Sequence, residues 1–163
     1  MLKKVVYLLL LSLLLSGCGV KETYETVADV PVVPVMASPK EISVRLPEDA
    51  LAPVLDTVGE QVYLCDGYEI IVEILESGDL TETIRALSGH DREDLTVMET
   101  FLDGVGRYEF VWACAGEEED RIGRAVVLDD GDYHYCLSLV RDASTTEGSQ
   151  IVWDDIFSSF TLV

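Results

Sequence analysis

The chain has 163 residues, 31 of them acidic and 11 basic, for a formal charge of −20 at pH 7. A field of that sign repels phosphate backbones and argues against nucleic acid as a partner. Hydrophobic residues make up 48 % of the sequence, enough to build the core of one domain of ordinary size.

Met1-Leu2-Lys3-Lys4 opens the sequence, followed by an almost unbroken apolar run from Val5 to Leu15 and then Ser16-Gly17. A basic start, a short apolar stretch and small residues are the three parts of a secretory signal peptide. The run is too short for a bilayer span, which takes about 20 apolar residues. Leu15-Ser16-Gly17-Cys18 resembles the lipobox of bacterial lipoproteins. That resemblance implies removal of residues 1–17 and lipidation of Cys18, with acyl chains such as palmitate. The protein would then be lipid-anchored to the cell membrane on its extracytoplasmic face. Two or more acyl chains hold a protein on a membrane stably, whereas one does so marginally. The mature chain would keep nine basic residues, eleven less Lys3 and Lys4, against 31 acidic ones: −22 over 146 residues.

Residues 18–40 contain Pro31, Pro34 and Pro39 and no sustained periodicity, which predicts an extended tether. Residues 41–163 then read as a single domain. Ile42–Leu46 alternates as a strand. Gln61–Cys65 and Tyr68–Leu75 flank Asp66-Gly67, a hairpin signal. Asp79 can cap a helix that carries Leu80, Ile84 and Leu87 on one face and ends at Gly89. A meander follows: Leu95–Leu102, a turn at Asp103–Gly106, Arg107–Ala115, Arg121–Leu128, a turn at Asp129–Asp132, and Tyr133–Arg141. The last predicted helix is Gln150–Ser159, capped by Ser149. It bears Trp153, Ile156, Phe157 and Phe160 in a stripe, with Asp154 and Asp155 in its early turns.

The expected fold class is α+β: a largely antiparallel meander sheet with two helices packed on it. An early "ISVRLP" strand, a helix opening "SGD" and a closing "FSSFTL" resemble the PsbP-like α/β/α sandwich, which also occurs in bacterial lipoproteins. That resemblance implies a domain that binds partners or assists assembly rather than an enzyme.

With Cys18 set aside for lipid, Cys65, Cys114 and Cys136 remain, an odd number that permits one disulfide at most. The meander puts a strand between those of Cys114 and Cys136. Two spacings of about 4.8 Å exceed the roughly 7 Å Cα limit for a bridge. Either Cys65 pairs with one of them or all three are buried thiols, and thiols are the expected state.

Asp132, His134 and Cys136 alternate onto one strand face, and all three are zinc-ligand types. A zinc site needs three or four converging ligands, and no second His or Cys pair accompanies them. His90 falls in the loop after the first helix. The expected arrangement is therefore a hairpin turn with a hydrogen-bonded His134, and no metal or cofactor is assigned. Asp129, Asp130 and Asp132 are spaced too tightly for a twelve-residue calcium loop.

Glu117-Glu118-Glu119-Asp120 reads as a solvated loop. Tyr108, Trp112, Tyr133, Tyr135 and Trp153 could face a sugar, but their spacing suits a core between sheet and helix. No nucleophile elbow, phosphate loop or metalloprotease motif occurs. Ser138 and His134, four apart on one strand, are too distant for a dyad. The expected function is a non-enzymatic binding module, anchored in the membrane, for an envelope protein or small ligand. The alternative is an extracytoplasmic metal- or cation-binding domain using the acidic turns with His134 and Cys136.

Overall fold

A computed structural model describes residues 37–115, 120–144 and 149–163. The predicted signal peptide, Cys18, the predicted tether up to residue 36 and Glu117–Glu119 of the acidic run lie outside the described residues. Among the described residues twelve elements follow one another: β1 (Ile42–Ser43), β2 (Leu55–Asp56), β3 (Glu60–Cys65), β4 (Tyr68–Glu76), α1 (Leu80–Ser88), a 3-10 turn (Arg92–Asp94), β5 (Met98–Leu102), β6 (Val105–Cys114), β7 (Arg121–Asp129), β8 (Tyr133–Asp142), α2 (Ser149–Ser159) and β9 (Thr161–Leu162).

Seven strands form one antiparallel sheet in the order β2-β3-β4-β8-β7-β6-β5. After β4, helix α1 carries the chain to the far edge, where β5 begins the meander. The meander returns until β8 pairs with β4 from Tyr68↔Arg141 to Glu76↔Tyr133. The Asp103-Gly104 turn between β5 and β6 has φ of 51° and 83°, the double left-handed geometry of a two-residue hairpin. The strand therefore resumes at Val105, two residues before the predicted Arg107.

Alternation along the strands gives the sheet two apolar faces, each closed by one helix. On one face Trp153, Ile156 and Phe157 of α2, with Phe160 just beyond it, pack on Ile70, Val72, Val126, Leu128, Tyr135, Leu137 and Leu139. On the other, Ile84 of α1 packs among Tyr108, Phe110, Trp112, Ala125, Val127 and Cys136. Side chains of this size each contribute about 1.5–3 kcal/mol when fully buried. The domain is thus α+β with helix, sheet and helix in three layers. Tyr108, Trp112, Tyr135 and Trp153 are buried, as the core reading expects.

Capping at α1 follows its sequence: the Asp79 carboxylate accepts from the Thr81 N–H at 2.9 Å, and Gly89 exits at φ 76°. Two strand expectations need correction. Ile42–Leu46 shortens to β1, which pairs with β9 in a separate two-stranded ladder. The Arg45 N–H instead donates to Ser159 Oγ at 2.8 Å, while Val44 and Leu46 still pack on the core. The strand expected from Leu95 begins at Met98, because Arg92–Asp94 form a 3-10 turn just before it. Strand β2, only two residues long, is too short to leave a periodic signal.

Cys65, Cys114 and Cys136 are all free thiols. Strand β7 separates β6 from β8 as anticipated. Cys136 is fully buried and the other two are half-buried, so complete burial holds for one thiol of three.

Candidate functional site

Both expected features of the "DDGDYHYCLSL" stretch resolve into structure. Asp129 and Asp130 turn the β7–β8 hairpin by accepting from the N–H groups of Gly131 and of Asp132 and Tyr133. His134 is buried beneath α1, where Thr83 Oγ1 meets Nδ1 at 2.8 Å. Ser77 Oγ and Asp129 Oδ2 both approach Nε2, at 3.5 and 3.8 Å. These contacts tie α1 to the sheet.

Asp132 is exposed in the turn, whereas burial, with Glu73 nearby, pushes the Cys136 thiol well above its ordinary range. The thiol is therefore a poor nucleophile at neutral pH. Among the described residues, no three His, Cys, Asp or Glu side chains are grouped closely enough to hold a metal ion. His90 lies outside this cluster, with Nε2 3.0 Å from the Ala113 carbonyl. Ser138 is buried within β8.

A different site lies on the α2 face. The same alternation that builds the core places Met98, Glu109, Val111, Ile122, Arg124 and Arg141 on this face of β5 to β8. Helix α2 covers the sheet with Ile156 and Phe157, and Phe160 follows just beyond it. Beside Trp153 it leaves a groove of about 490 Å³, lined by these residues together with Thr96, Phe110 and Gly123. That volume falls in the range of small-molecule sites. Val111 and Met98 are 60 % and 61 % exposed, so the apolar wall is open to solvent.

Charges on this face are arranged in sequence. Arg107 donates from both Nη atoms to the carbonyls of Phe160 and Phe157, at 3.1 and 2.8 Å, which caps the C-terminal end of α2. Its Nε meets Glu109 at 2.7 Å. The other Glu109 oxygen accepts from Arg124, whose second Nη reaches Asp154 at 2.6 Å. Arg124 also lies 4.4 Å over the Phe157 ring.

Arg141 stands apart from this chain of pairs. Its guanidinium carbon is 5.5 Å from the Trp153 ring centre. Its Nε and Nη1 are buried without a hydrogen-bond partner among the described residues, and so is Trp153 Nε1. Each such orphaned donor costs about 1–3 kcal/mol, and more when it is charged. All three belong to two side chains lining one groove. Two further grooves, of about 410 and 320 Å³ beside β1 and beside the β5–β6 turn, contain neither side chain.

This groove leaves no motif in the sequence. A lone arginine near the end of a strand carries no motif. The only available sign was a cation at Arg141 on the face whose neighbours Tyr135, Leu137 and Leu139 are apolar. No protein-family model matches the chain, and no curated protein matches its sequence.

Proposed function

We propose that this chain is a lipid-anchored, extracytoplasmic, non-enzymatic binding protein whose α+β domain holds a small ligand in the α2-face groove. One observation carries the binding half of this reading: three buried donors without a partner among the described residues belong to two side chains, Arg141 and Trp153, that line one largely apolar groove of ligand size. Buried donors in folded domains nearly always have a partner, whether protein, ordered water or a ligand. The anchoring half rests on Leu15-Ser16-Gly17-Cys18 and the basic and apolar segments before it. We also read the three-layer domain as related to the PsbP-like sandwich, through "ISVRLP", "SGD" and "FSSFTL". A superposition in which the β4–β8 junction and the α1 crossover fail to coincide rejects that relation. The metal-binding alternative falls behind, because both ring nitrogens of His134 already meet hydroxyl groups.

Two measurements test the two halves separately. With an alkyne-bearing palmitate analogue fed to cells, the wild-type chain takes up label and sediments with membranes, and Cys18→Ala does neither. Equal labelling of the variant rejects the anchor. Amide and indole NMR shifts against a library of small polar and amphiphilic compounds should concentrate at Val111, Ile122, Arg141 and the Trp153 indole. Shifts clustered elsewhere, or none at millimolar ligand, reject the groove as the binding site.

A further inference from the structure

The charge balance around the groove points to one class of ligand. Three arginines and two carboxylates share this part of the α2 face: Arg107, Arg124, Arg141, Glu109 and Asp154. Arg107 is engaged by Glu109 and by two helix carbonyls, and Arg124 by Glu109 and Asp154. Both carboxylates are therefore committed. Arg141 is the cation on this face left without a counter-charge among the described residues. A guanidinium offers its donors as a planar fork suited to the two oxygens of a carboxylate. The Trp153 indole N–H, on the ring that Arg141 faces, is a third donor of the same polarity. No acceptor is orphaned there, so a neutral alcohol or a cation matches the groove less well than an anion.

We propose that the groove binds a small organic monocarboxylate with an apolar body, its carboxylate on Arg141 and Trp153 Nε1 and its body along Met98, Val111 and Ile122. This rests on the reading of the groove as the ligand site and adds the chemistry of the ligand. A single charge is specified for two reasons. One uncompensated cation neutralises one negative charge, and Glu109 stands in the same groove wall. The surrounding protein, at −20 overall, opposes entry of a multiply charged anion. The apolar stretch of Met98, Val111 and Ile122 offers the body of a hydrophilic anion no hydrogen bonds, which disfavours such ligands.

The test uses the full chain in lipid nanodiscs, with empty nanodiscs subtracted, titrated by calorimetry and by tryptophan emission. Three probes share one apolar body: phenylacetate, 2-phenylethanol and 2-phenylethylamine. Phenylacetate should bind saturably and at least tenfold more tightly than the other two. The emission change should vanish in Trp153→Phe, which leaves Trp112 as the remaining tryptophan. Arg141→Met should weaken phenylacetate at least tenfold while the thermal midpoint stays equal or rises, because it removes buried orphaned donors. Arg141→Lys, which keeps the charge but loses the fork, should fall between the two.

Equal binding of all three probes leaves the groove as a ligand site and overturns the carboxylate. No binding by any probe overturns both readings. Undiminished phenylacetate binding in a folded Arg141→Met protein overturns the role given to Arg141. A large fall in that variant's melting temperature does the same, since it would mean that the guanidinium serves the fold.

Discussion

Gly123 shows how far a single residue sets the packing of the α1 face. It sits opposite Trp112 on the β6–β7 ladder, and the indole lies across the space a side chain would fill. A Cβ built on Gly123 falls within contact-forbidden range of three indole atoms, so either the ring or the strand must shift. Trp112 is 93 % buried against Phe110 with ring centres 5.7 Å apart, and cannot swing out without opening the core. Gly123→Ala should therefore destabilise the domain by about 1–3 kcal/mol, the usual cost of overpacking a filled core. Chemical unfolding monitored by Trp emission reads this directly. A variant within about 0.5 kcal/mol of wild type would mean that the ring is not held where it lies. The double variant with Trp112→Leu should recover part of the loss, because the clash and not the added methyl is the cause.

At the scale of elements, the two helices were legible because each carries an apolar stripe and a residue of capping type at its start, and α1 a stop as well. Leu80, Ile84 and Leu87 recur at helical spacing between Asp79 and Gly89, and those two residues cap α1 in the structure. Trp153, Ile156, Phe157 and Phe160 gave α2 in the same way. The meander was legible because Asp103-Gly104 and Asp129–Asp132 interrupt period-2 runs. Other elements depend on partners remote in sequence. β1 has two residues because among the described residues it pairs with β9 alone, about 120 positions away, and nothing in Ile42–Leu46 encodes that length. The pairing of β4 with β8 similarly required knowing that α1 crosses to the far edge. The candidate site is a sharper case of the same limit. His134 and Cys136 drew attention because their chemistry is local and recognisable. The groove is made by Met98, Val111, Ile122, Arg141 and Trp153 from five elements, none of them unusual in its own segment. What distinguishes Arg141 is the lack of a partner, a property of the assembled face that no spacing expresses.

For the whole molecule, acid should act in two opposed ways, and one clasp separates them. Loss of negative charge below about pH 4 relieves self-repulsion in a chain with 31 acidic residues, which favours the compact state. At Lys40, where the predicted tether meets the domain, the effect runs the other way. Lys40 Nζ lies 3.0 Å from Asp130, and its backbone N–H donates to the Tyr135 hydroxyl at 2.9 Å. That hydroxyl in turn donates to Asp130. Burial alone would raise the Asp130 carboxyl. The hydrogen bonds from Lys40, from the backbone of Tyr133 and Asp132 and from Tyr135 outweigh it and hold the carboxyl below its ordinary range. A carboxylate depressed in the folded state adds stability above its unfolded pKa of about 3.9, and that stability is lost as pH falls through the folded value. The pair is partly exposed at Lys40, so its contribution is local and reduced by salt. Hydrogen exchange at the Lys40 amide should therefore lose protection, relative to the β4 and β8 core, once pH drops below about 4. In Asp130→Asn, protection at Lys40 should already be low at pH 7 and should show no further acid step. If the variant keeps the same acid-dependent loss as wild type, titration of Asp130 is not what fastens the chain at Lys40, and the step belongs to the general discharge of the acidic surface.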